Sequence, residues 1–118
     1  MQRLIRSFGY AWEGIRHCFT HEPNFKIHVG FAAAAASMCI LLQLTFTEWA
    51  VILICIAMVI AMEMVNTAVE HLCNLVYPSQ SQVIKKIKDM AAGAVLICAM
   101  VAAICGLIIF IPKIIHLF

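Results

Sequence analysis

The sequence predicts an all-α membrane protein: an N-terminal interfacial helix followed by three transmembrane helices, in one domain covering residues 1–118. Three observations predict this class. The chain is 64% hydrophobic and only 12% charged, about half the charged fraction of an ordinary soluble domain. With 118 residues, it has too little interior to hide that much apolar surface from water. Its apolar residues also gather into three stretches, each long enough to supply the roughly 20 residues that cross a bilayer.

Residues 1–20 read as an amphipathic helix. Leu4, Ile5, Phe8, Trp12, Ile15 and Phe19 recur at helical spacing, and Arg3, Arg6, Glu13, Arg16 and His17 occupy much of the remaining surface. Such a helix lies in the membrane interface or packs on the bundle, and the pattern suits both. Pro23 ends or bends it. The first span runs from about Ile27 to Phe46 (27–46) and carries the tract F-A-A-A-A-A-S-M-C-I-L-L. The second runs from Trp49 to Tyr77 (49–77), and the third from Met90 to Ile111 (90–111) without a charged residue. Pro78-Ser79-Gln80-Ser81-Gln82 reads as the turn between the last two.

Basic residues orient the chain. Arg3, Arg6, Arg16 and Lys26 precede the first span, and Lys85, Lys86 and Lys88 lie between the second and third. The Gln43–Glu48 connection has neither Lys nor Arg. Three spans put both basic groups on one side, which the positive-inside rule makes cytoplasmic. The expected location is the bacterial cytoplasmic (inner) membrane, N-terminus inside and C-terminus outside, with Lys113 and His116 as a minor exception. No cleavable signal peptide is expected, because the first 26 residues lack a continuous apolar core.

The second span is not uniformly greasy. Glu63, Asn66, Thr67, Glu70 and Asn74 fall within an arc of roughly 100° over about 16 Å of helix. Ionisable groups in a spanning helix are costly unless paired, hydrated or metal-bound, and so point to function. The segment is longer than one crossing, so its last third leaves the hydrocarbon. That places Glu63 near the interface and Glu70 in or below the headgroup layer. Glu22 before the first span and Lys88 with Asp89 before the third meet the same cytoplasmic face. Each spanning helix thus brings a carboxylate there. Carboxylate and amide oxygens suit Mg²⁺, and a nearby Lys cluster suits phosphate. This is the equipment of phosphoryl transfer from a soluble nucleotide to a lipid.

Several other classes are disfavoured. The six cysteines form no C-x-x-C pair and read as small buried hydrophobes, and the five histidines are not expected to build a zinc site. A net charge of +2 on so apolar a chain does not suit nucleic acid. There is no Walker A loop, Rossmann glycine pattern or protein-kinase signature.

The run E-M-V-N-T-A-V-E (Glu63 to Glu70), followed by K-D-M-A-A-G-A-V (Lys88 to Val95), resembles the small integral-membrane prokaryotic diacylglycerol kinase family, which includes undecaprenol kinases. S-F-G-Y-A-W-E-G-I (Ser7 to Ile15) and E-P-N-F-K-I-H (Glu22 to His28) match as well. The resemblance covers nearly the whole chain. It implies a homotrimer with composite active sites at the cytoplasmic interface, and ATP- and Mg²⁺-dependent phosphorylation of diacylglycerol or undecaprenol. It implies that Glu63 is the general base, and that Glu22 and Glu70 hold Mg²⁺ bridged to ATP. Asn66 would bond near the transferring phosphoryl, Lys88 would neutralise ATP phosphates and Asp89 would fix the site. Arg3 and Tyr10 would lie against the nucleotide. Many family members carry Asp at position 74, where this chain has Asn, so Asn74 stands outside the expected catalytic set. The A-A-G-A form of the third-span motif is more like the undecaprenol-kinase branch.

Two rivals remain. A non-enzymatic oligomer conducting protons or cations would need ionisable groups through the midplane, yet the second span is apolar from Trp49 to Met62. A lipid phosphatase would need a nucleophile or a His/Arg phosphate signature, and neither is evident.

Overall fold

The computed structural model describes all residues, 1–118. It contains four helices and no strand: α1 Gln2–His21, α2 Pro23–Leu41, α3 Phe46–Val76 and α4 Gln82–Leu117. The last three are long and apolar enough to cross a membrane. Number, order and character of the helices agree with the sequence reading, but their ends do not coincide with the apolar stretches. α3 starts before its apolar stretch and α4 runs past both ends of its own, because a helix continues where its backbone still has partners. By contrast, α2 stops at Leu41, short of the expected Phe46, because the chain turns at 42–45.

The break between α1 and α2 is a single extended residue, Glu22, with Pro23 at the first helical position of α2. Proline is suited to that position because its missing N–H would have had no helical partner there. At the other end of α2 the chain turns tightly. Gln43 takes a left-handed conformation, with φ 52°. The Leu44 N–H donates to the Cys39 carbonyl and the Gln43 N–H to the Ile40 carbonyl, both at 3.3 Å. These two bonds form a Schellman cap, with the expected apolar contact: Leu44 and Cys39 pack with Ile52 into a small buried cluster. Thr45 then caps α3 by accepting from the Glu48 N–H at 3.3 Å. A side chain at Gln43 is strained where glycine would not be. Gln43→Gly should therefore raise stability by up to about 1 kcal/mol, measured as resistance to unfolding in detergent micelles. A loss of stability would mean that the Gln43 side chain holds something in place.

α4 begins eight residues before the apolar stretch and runs through Pro112 to Leu117. The proline removes one hydrogen bond near the end of a long helix. Lys113 Nζ holds that last turn to Glu48 Oε1 at 3.3 Å. α3, with 31 residues, is about 46 Å long, well beyond the roughly 30 Å of hydrocarbon.

α3 is the middle of the fold. It packs against both α2 and α4, whose backbones do not approach each other. Contacts of Asn74 with Lys88, Cys55 with Cys105 and Glu48 with Lys113 keep α3 and α4 in one antiparallel register. The molecule is a flat slab of 55 × 43 × 21 Å with a radius of gyration of 17.4 Å, against about 13 Å for a compact domain of this length. Only 11 of 118 residues are buried, so the chain alone has a thin core. Its large apolar surface is matched to lipid or to further copies, not to water.

Candidate active site

The polar stripe of α3 is the most buried polar feature of the molecule. Glu63 is 4%, Asn66 7% and Thr67 5% exposed, and they are the only buried polar side chains. They are buried because the faces of α2 and α4 meet α3 on this side. The register places Asn66 level with Val95 and Glu70 level with Ala91, so the A-A-G-A segment of α4 runs alongside the stripe. Glu70 and Asn74 lie about 10 Å and 16 Å further along the axis from Glu63. Glu70 is half-buried and Asn74 exposed. The stripe thus grades from dry to wet toward the end of α3.

Two histidines meet the carboxylates. His28 Nε2 on α2 lies 3.5 Å from Glu63 Oε2, an ion-pair distance longer than a hydrogen bond. His71 Nε2 on α3 lies 3.1 Å from Glu22 Oε1 at the α1–α2 corner. His71 also meets His17 edge-on, and His17 stacks on His21 with ring centroids 4.4 Å apart. Beneath this corner Cys18 is the one buried residue of α1. Burial, and then the nearby charges of Glu22 and Glu63, push its thiol up, which keeps it protonated and unreactive at neutral pH. Glu22 and Glu63 are thus both near enough for Cys18 to feel their charge.

Asn66 Oδ1 is buried without a hydrogen-bond partner. An orphaned buried acceptor costs about 1–3 kcal/mol, a penalty that a donor arriving from a ligand or from another copy would remove. Lys88 Nζ donates to Asn74 Oδ1 at 2.6 Å, while Asp89 Oδ2 accepts from Lys85 Nζ at 2.7 Å. The tether of Lys88 is therefore Asn74 and not its neighbour Asp89.

One chain brings only part of the expected set together. Glu22, Glu63 and Cys18 form one group. Lys88 and Asn74 form another, nearer the end of α3. Arg3 and Tyr10 belong to neither. Both are exposed on α1, about 22 Å and 12 Å along that helix from Cys18. No group of three or more His, Cys, Asp or Glu side chains in the chain is arranged to hold a metal ion. Mg²⁺ does not require one, since it keeps several waters and is held by one or two carboxylates plus substrate phosphates. The hard oxygen donors of Glu22 and Glu70 fit it.

Sequence reading assigns no role to His21, His28 or His71, and His17 reads only as part of the polar face of residues 1–20. His28 ends the E-P-N-F-K-I-H run but carried no assignment. His71 directly follows Glu70. His17 and His21 are four residues apart in H-C-F-T-H, a spacing that puts both on one helix face and was the signal available.

Above the stripe, α2 and α4 diverge over α3 and leave an apolar groove of about 360 Å³. Phe31, Ile56, Val59, Ala102 and Phe110 are among its walls. His28 is the one titratable nitrogen among its lining side chains.

The chain is similar throughout to proteins of known activity. A family model described as prokaryotic diacylglycerol kinase matches residues 9–110. An undecaprenol kinase of Bacillus subtilis (strain 168) is 36% identical over 113 residues, which are 96% of this chain and 92% of the relative. A diacylglycerol kinase of Synechocystis sp. is 36% identical over 115 residues, 97% of this chain and 66% of the relative. A diacylglycerol kinase of Escherichia coli (strain K12) is 26% identical over 102 residues, 86% of this chain and 84% of the relative.

Proposed function

The chain belongs to the prokaryotic diacylglycerol kinase family, and on that premise we propose how it acts as a lipid kinase. It transfers the γ-phosphoryl group of ATP to the hydroxyl of a membrane lipid at the cytoplasmic boundary of the bacterial inner membrane. The observation that carries this reading is Glu63: a carboxylate at 4% exposure, one turn from the orphaned oxygen of Asn66. An alcohol needs a base in the transition state, and a carboxylate at the lipid boundary is placed to serve a hydroxyl arriving from the bilayer. A Glu63 oxygen takes the hydroxyl proton as the lipid oxygen bonds to the γ-phosphorus. The bond from that phosphorus to the bridging oxygen breaks, and ADP leaves. Lys88, held by Asn74, neutralises phosphate charge. Glu22 and Glu70 hold Mg²⁺ with ATP, and the ion supplies further charge neutralisation there. Asp89 fixes the site, and Arg3 and Tyr10 lie against the nucleotide.

A homotrimer with composite sites is part of the reading. The separation of Arg3 and Tyr10 from the carboxylates within one chain supports it, as does the thin core. Native mass spectrometry in detergent counts the copies. The N-terminus and the 77–81 connection lie in the cytoplasm and the C-terminus outside.

Undecaprenol is the acceptor that the full-length likeness to the Bacillus subtilis enzyme and the A-A-G-A motif support ahead of diacylglycerol. The test is label transfer from ATP, with Mg²⁺, to each lipid in separate micelles. Transfer to undecaprenol is expected to be faster. No transfer to either would overturn the reading. The rival, a conducting oligomer, is disfavoured because α3 has no ionisable side chain other than cysteine between Glu48 and Glu63 and the groove beside its middle is apolar.

A further inference from the structure

We infer that His28 is a positioning residue for the base. It holds one oxygen of Glu63, leaving the other to take the proton of the acceptor, and it does so at the polar end of the groove along which the acceptor chain lies. The inference rests on Glu63 being the base, as proposed above.

The argument starts from burial. A carboxylate as enclosed as Glu63 needs a donor or an opposite charge. His28 is the only basic side chain within 4.0 Å of it. It comes from a different helix, so its contact is set by the packing of α2 on α3 and not by local spacing. Next comes geometry. Oε2 is the carboxylate oxygen paired with His28 Nε2, so the ring distinguishes the two oxygens: it is placed to anchor Oε2 and leave Oε1 to the acceptor. A base that rotates freely spends much of its time misaligned, and a displacement of about 1 Å costs about 100-fold in rate. The 3.5 Å gap is loose for a finished hydrogen bond, but catalytic contacts without substrate are often long and tighten in the reacting complex.

The groove gives the third observation. His28 is both the partner of Glu63 and the one titratable ring in an otherwise apolar lining. From Ile52 to Ile60 the groove follows α3 for about 12 Å, ending beside the carboxylate. A hydrocarbon chain lying there has its hydroxyl end directed at the pair. A polar ring at the far end, or none, would have offered no such direction. Glu63 itself and Cys18, whose thiol feels the charges of Glu22 and Glu63, are the nearby titratable groups, and neither supplies a donor as strong as an imidazole N–H.

Two variants test the inference. His28→Leu keeps apolar volume and removes the donor. His28→Gln keeps an N–H at nearly the position of Nε2. His28→Leu should lower kcat about 100-fold, with KM for ATP within about twofold, because His28 is not among the residues proposed to hold the nucleotide. His28→Gln should recover most of the loss. A second readout needs neither lipid nor ATP: the ¹³C resonance of the Glu63 carboxyl, assigned by its disappearance in Glu63→Gln. It should be sharp in the native protein, broadened in His28→Leu and sharp again in His28→Gln. An unchanged kcat in His28→Leu, or a His28→Gln as slow as His28→Leu, would overturn the inference. So would an unbroadened carboxyl resonance in His28→Leu. A native protein without lipid phosphorylation would sink the kinase reading instead, and the resonance would still report on the His28–Glu63 contact.

Discussion

Glu63→Gln abolishes turnover, lowering kcat by about 10³-fold, while ATP still binds. Gln matches Glu in size and keeps an oxygen that can face His28, so the packing of α2, α3 and α4 is preserved. What it lacks is a site that can take a proton. A buried carboxylate of purely structural importance would behave differently: the isosteric amide would restore its hydrogen bonds, and activity would survive. Steady-state label transfer gives kcat, and equilibrium binding of ATP to the same preparation gives the second half of the result. Near-normal turnover would remove Glu63 from the role of base. Lost ATP binding would instead show that the substitution disturbs the nucleotide site.

Lys88→Met lowers kcat/KM for ATP by about 100-fold. The methionine keeps the length and the apolar stem of the side chain and removes its charge. Lys88 Nζ sits at 2.6 Å from Asn74 Oδ1, which fixes the ammonium at the wet end of the stripe, where the proposed mechanism needs a cation for the phosphates. Asn74 contributes by holding the amine. Asn74→Asp still presents an oxygen to it, so its effect should be far smaller, within a few-fold. Asp89 is paired with Lys85, on an exposed surface where such a pair contributes little. The measurement is kcat/KM for ATP at fixed lipid. If Lys88→Met left it unchanged, phosphate neutralisation would have to come from other cations, Arg3 among them.

Much of the architecture was legible before any coordinates. Apolar runs of bilayer length have one stable outcome, because backbone polar groups in hydrocarbon must be satisfied within the helix. Pro23 was legible as the break after the first helix, and it starts α2. The Thr45 cap of α3 was not, since hydropathy puts Thr45 inside the first span. Helix ends were less legible. Hydropathy set the third stretch from Met90 to Ile111, but α4 spans Gln82–Leu117. Lys85, Lys86 and Lys88 are good helix formers outside the hydrocarbon, and Pro112 lies near enough to the end that the helix loses only one bond.

The site divides along a similar line. Glu63, Asn66 and Glu70 share a face of α3 because of helical periodicity, and periodicity is a property of the chain alone. Composition and spacing were therefore enough to mark the stripe. Which residues stand beside it was not readable. His28 is 35 positions before Glu63 and His71 is 49 after Glu22. These pairs exist because α2 folds back antiparallel on α3 with a register set by the Gln43 turn. The attachment of Lys88 to Asn74, and not to Asp89, likewise depends on the register between α3 and α4. Local pattern carries the identity of a helix face, because it repeats every few residues. The partner of that face depends on how the connecting turns align distant segments, and that alignment exists only once the helices have packed.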